Sequence, residues 1–140
     1  MKAFTFVALA AIAGAQQIWL QAPGLNQEVT AGGDLVIEIQ SQDAASPYTD
    51  IAAAIGIEPW STGYVDTVEL GQWLLYQGNW SIEGFAYPQG GLYTNVTVSV
   101  PSNLPVGPAL LSVAVFQVVG ASNEPYVQKA NVNVTVVSSS

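Results

Sequence analysis

Apolar and polar residues alternate with a period of two along much of the chain. The clearest stretch sets Leu92, Thr94, Val96, Val98 and Val100 on one face against Tyr93, Asn95, Thr97 and Ser99 on the other. Side chains one residue apart point to opposite faces of a strand, so this spacing predicts a half-buried strand. Leu35, Ile37 and Ile39 alternate with Val36, Glu38 and Gln40, and Val132, Val134 and Val136 alternate with Asn131, Asn133 and Thr135, which predicts two more strands with polar outer faces. The run from Ile51 to Ile57 differs. It places Ile51, Ala53, Ile55 and Ile57 on one side and the small Ala52, Ala54 and Gly56 on the other, the pattern of an interior strand against which another element packs closely.

Turn signals separate these runs at short intervals: Pro23-Gly24, Ala31-Gly32-Gly33, Ser46-Pro47, Gly90-Gly91, Pro101 to Pro108 and Gly120 to Pro125. They leave no room for a helix of ordinary length. The pattern predicts an all-β fold, an antiparallel β-sandwich of immunoglobulin-like topology, with a jelly roll as the alternative. The stretch from Val100 to Ala109 reads as a crossover between sheets, leading into a long apolar strand from Leu110 to Val119.

The N-terminus breaks the alternation. Lys2, the apolar Phe4 to Ile12 and the small residues Ala13-Gly14-Ala15 predict a signal peptide over residues 1–15 and a single β-sandwich domain over 16–140, and hence a secreted, extracellular protein. The apolar run is too short for a membrane span, and no hydrophobic tail accompanies Ser138 to Ser140, so neither membrane insertion nor a C-terminal lipid anchor is expected. The chain has no cysteine, so apolar packing has to hold the domain together without disulfides. It also has no arginine or histidine, and beyond the leader Lys129 alone opposes ten carboxylates. Such a field repels nucleic acid and anionic membranes and favours a basic or polar partner.

The missing residue types close several mechanisms. Without histidine or cysteine there is no serine triad with an imidazole base, no thiolate nucleophile and no histidine-bound zinc. Glu58, Asp66, Glu69 and Glu83 are the carboxylates a glycoside hydrolase pair would draw on, and Asp43 and Asp50 could join them in a calcium site, but no motif or ligand spacing joins them. The expectation is a binding protein, not an enzyme, with no cofactor and no metal. Three sequons are present at Asn79, Asn95 and Asn133, the last two on predicted polar faces. Aromatic residues crowd the segment from Trp60 to Tyr93, and Trp60, Tyr64, Trp80 and Tyr87 are the candidate partner-binding rings.

Several blocks together resemble a known family: Ala54-Ile55-Gly56-Ile57 closing a strand, Leu70-Gly71 before the next, Val98-Ser99-Val100-Pro101 running through to Gly107-Pro108-Ala109-Leu110-Leu111, and then Gly120-Ala121-Ser122. In their order and their cysteine-free frame the chain resembles the necrosis-inducing secreted protein family of fungal effectors, from about Val29 to Val137. The resemblance implies a virulence factor that binds plant immune receptor-associated kinases, lowers their activity, suppresses host defence and provokes cell death, acting outside the host cell or after entry into it. The competing expectation is a cell-wall or polysaccharide-binding module using the same aromatic rings.

Overall fold

The computed structural model describes residues 18–41, 48–60, 70–81, 84–86 and 91–139. Among these residues the chain forms nine strands: β1 (Ile18–Ala22), β2 (Glu28–Thr30), β3 (Asp34–Ser41), β4 (Tyr48–Pro59), β5 (Trp73–Asn79), β6 (Gly84–Ala86), β7 (Gly91–Ser99), β8 (Gly107–Val119) and β9 (Glu124–Val137). They lie in two sheets, ordered β1-β3-β7-β6 and β2-β9-β8-β4-β5. All pairs are antiparallel except β2 with β9, which run parallel over Glu28–Thr30 and Thr135–Val137. This is the immunoglobulin-like order of the expected sandwich.

The core follows from the alternation. Leu35, Ile37 and Ile39 of β3 face Val98 of β7 inside one sheet, and Ile55, Ile57, Leu111, Val113, Val115, Val134 and Val136 face them from the other. Each such side chain contributes about 1.5–3 kcal/mol on burial, and together they form one core without a disulfide. The chain changes sheets between β1 and β2 at the buried Pro23, which follows a cis peptide bond. Another change occurs in the crossover after β7, where Leu104 is buried as its anchor. Gly33 and Val100 hold this corner by a backbone hydrogen bond of 2.8 Å.

The interior strand expected over Ile51–Ile57 lies within β4, between β8 and β5. Its close neighbour is also present. A side chain at Gly56 would meet the Leu70 carbonyl oxygen at 2.1 Å, and one at Gly71 (φ +97°) would meet the Ile57 carbonyl carbon at 2.6 Å. Two of the family-like blocks thus pack on each other where only glycine fits. Ile51 departs from the expected face. The β4–β8 register shifts between Asp50 and Ala52, which turns Ile51 out of the core to 40% exposure.

Two of the buried polar side chains fix the packing around β4. Gln117, fully buried, donates from Nε2 to Asp50 Oδ1 at 2.6 Å and accepts from Gln128 Nε2 at 3.0 Å. Glu58, also buried, accepts the Gln72 backbone N–H at 2.7 Å, fixing the entry to β5.

Candidate interaction surfaces

A first surface is a groove of about 620 Å³ at the side of the sandwich. It forms where the chain leaves β5 through Asn79, Trp80 and Ser81 on its way to β6 in the other sheet. The opposite wall is β7. Strand β6 pairs with β7 only at Gly91, Leu92 and Tyr93, so from Thr94 onward that edge of β7 has no strand partner among the described residues. Thr94, Asn95, Val96 and Thr97 line the groove along this open edge. The Thr94 hydroxyl donates to the Ser81 carbonyl and ties the walls together, while Tyr76 donates to the Asn79 carbonyl at 2.7 Å. Asp50 is the charged side chain of the lining.

A second surface lies on the outer face of the five-stranded sheet. Ala52 and Ala54 of β4 and Ala114 of β8 form the floor of a depression of about 250 Å³, walled by Gln77, Phe116 and Val127. The floor is low because three adjacent outward positions carry only a methyl group, while Val127 (63% exposed) and Phe116 stand above it. None of the lining side chains is charged. Lys129 pairs opposite Ala114 on the same face, so one of the chain's two cations lies beside this uncharged patch.

The sequence-predicted site residues separate. Trp60, at the end of β4, is 47% exposed. Trp80 is not the exposed ring expected of a residue set among Gly, Asn and Ser. It is 3% exposed and belongs to the core cluster, because the chain crosses between sheets there and carries the indole inward. Its indole N–H is buried without an acceptor, at a cost of about 1–3 kcal/mol. Tyr64 and Tyr87 lie outside the described residues. Asn79 and Asn95 are exposed, and Asn133 is half-buried with its Oδ1 enclosed and unpartnered.

Of the carboxylates weighed for chemistry, Glu58 is engaged with Gln72 and Asp50 with Gln117. Asp43, Asp66, Glu69 and Glu83 lie outside the described residues. Among the described residues no three acidic side chains gather into a metal-holding group, and no helix is long and apolar enough to cross a membrane. The outer-face depression escaped the sequence reading. The small residues of β4 hinted at it, but Phe116 and Val127 join Ala54 only through the pairing of β4 with β8 and β8 with β9.

Fold and surfaces define a β-sandwich module with an immunoglobulin-like strand order, a polar groove on one side and an uncharged concave sheet face. The Nis1 family model matches residues 13–135, and the chain belongs to the Nis1 family. A curated relative from Colletotrichum orbiculare, named Necrosis-inducing secreted protein 1, is 27% identical over 114 residues, covering 80% of this chain and 65% of the relative's length. The chain is accordingly a secreted protein. Among solved structures, the fibronectin(III)-like modules of Clostridium thermocellum CbhA align with a TM-score of 0.42 at 13% identity, over 86% of this chain and 94% of that one.

Proposed function

We propose that the protein is a non-enzymatic effector, released after removal of residues 1–15 as a single domain over 16–140, that provokes necrosis in a plant host by binding receptor-associated kinases and lowering their activity. Membership of the Nis1 family and the name of its curated relative support the coarse reading. The observation that carries a binding role is the uncharged depression floored by Ala52, Ala54 and Ala114 in a chain of net charge −8. An uncharged concave patch on a chain whose charged side chains are mostly carboxylates takes an apolar anchor from a partner with basic surroundings. Trp60 is the ring from the sequence-predicted set that is exposed to add to such a contact.

The test is affinity capture from plant extract with the mature protein and with Ala54→Glu, which places a carboxylate in the depression. Wild type retains receptor-associated kinases and depresses their phosphorylation of a standard substrate. Ala54→Glu, folded by circular dichroism, loses affinity by about tenfold or more, and Trp60→Ala by less. Retention on chitin, glucan or cellulose in place of kinase domains would overturn the reading.

A further inference from the structure

The two sequons Asn79-Trp80-Ser81 and Asn95-Val96-Thr97 come from strands of different sheets and are 16 residues apart in the chain. All six of their residues line the same groove. We propose that this groove is a bed for the protein's own N-linked carbohydrate, and that the sugars attached to Asn79 and Asn95 cover the open edge of β7. The inference rests on secretion through a glycosylating compartment and is independent of kinase binding.

An open strand edge presents unpaired backbone donors and acceptors and acts as a template for pairing with another chain. Proteins blunt such edges with charge, proline, a bulge or a covering element. Thr94 to Ser99 carries no charged residue and no proline, and its pairing with β3 runs without a bulge. Among the described residues, β6 pairs with β7 no further than Tyr93. The hydrophilic cover supplied by sugars at Asn95, on this edge, and at Asn79, on the facing wall, fills the role the sequence leaves open.

The chemistry of the lining agrees with a neutral polyhydroxyl ligand. Its hydroxyl and amide groups come from Asn79, Ser81, Thr94, Asn95 and Thr97, its apolar part includes Ile51 and Val96, and it contains no cation that would select an anion. A volume of about 620 Å³ holds sugar residues at both attachment points. Trp80 forms part of the wall. The third sequon is different. Asn133 lies on β9, away from the groove lining, with its Oδ1 enclosed.

The experiment uses the full chain secreted from a eukaryotic host, in parallel with the mature protein made in bacteria without glycosylation. Variants Thr97→Ala and Ser81→Ala abolish the two sequons without touching the asparagines, and Thr97→Ser keeps the second. Glycopeptide mass mapping is expected to find Asn79 and Asn95 occupied. In the glycosylated set Thr97→Ala lowers Tm by about 3 °C or more and self-associates in light scattering, whereas Thr97→Ser behaves as wild type. In the bacterial set wild type and the three variants share one Tm and all self-associate. Unmodified asparagines, or a secreted Thr97→Ala protein that stays monomeric at the wild-type Tm, would overturn the assignment. N-acetylglucosamine oligomers titrated onto bacterial protein separate the two sources of sugar. No saturable binding is expected, and saturable binding would replace the proposal with a site for free oligosaccharide.

Discussion

At the scale of single residues, the blocks that carry the family resemblance hold the frame together and leave the contact surfaces unspecified. Gly56 and Gly71 sit where Leu70 and Ile57 press backbone against backbone, and Leu104 pins the crossover between Pro101 and Gly107. Gly56→Ala is therefore expected to lower stability by about 2 kcal/mol or more, since relief requires backbone to move. At Gly24 an added methyl group would find its nearest neighbour 3.9 Å away at Gln27 Oε1, so Gly24→Ala should stay within about 0.5 kcal/mol of wild type. Urea unfolding of the two variants checks the contrast, and equal midpoints would refute it. Trp80 shows the limit of reading exposure from neighbours. Gly78, Asn79 and Ser81 mark a loop, but that loop crosses from one sheet to the other, and the ring follows the chain into the core.

At the scale of elements, strands were legible wherever one face is apolar and the other polar. Strands β3, β7 and β9 have this pattern because each faces the core on one side and solvent on the other. Strand β5 was harder to read. Its sequence Trp-Leu-Leu-Tyr-Gln-Gly-Asn has no strict alternation, because the register against β4 shifts between Ile55 and Gly56 and brings Trp73, Leu75 and Tyr76 all onto the core. Position within the sheet also sets local stability. Strand β8 lies between β9 and β4 and buries Leu111, Val113 and Val115 fully, while β2 is three residues long at a sheet edge. Native-state hydrogen exchange should find the amides of Leu111 to Val115 slower than those of Glu28 to Thr30 by roughly a hundredfold or more. Comparable rates would mean that the sheet opens as one unit.

At the scale of the whole molecule, charge and shape would divide the work of recognition in the proposed role. The net charge of −8 is spread over carboxylates such as the exposed Glu28, Asp34 and Glu124, whereas the depression on the outer sheet face has an uncharged lining. Under the proposed kinase-binding role, long-range attraction steers a basic partner and the apolar patch sets how long it stays. Raising ionic strength from about 0.1 M to 1 M shortens the screening length from about 10 Å to 3 Å. The association rate with a captured kinase domain should therefore fall steeply, with the dissociation rate nearly unchanged, as read by biosensor kinetics. A salt effect confined to dissociation would place carboxylates inside the interface.

The sequence by itself determined the all-β sandwich and the secreted family, and it ruled out chemistry that needs histidine or cysteine. Period-two alternation, turn residues and residue types are local properties, and they survive without knowledge of which strands pair. Only the tertiary structure decided that Ala52, Ala54, Ala114, Phe116 and Val127 share one depression, that Trp80 is core, and that two sequons face each other across a groove. Each of these depends on which strands pair and in which register, through contacts between residues far apart in the chain. The alternation of any one strand carries no record of its neighbour.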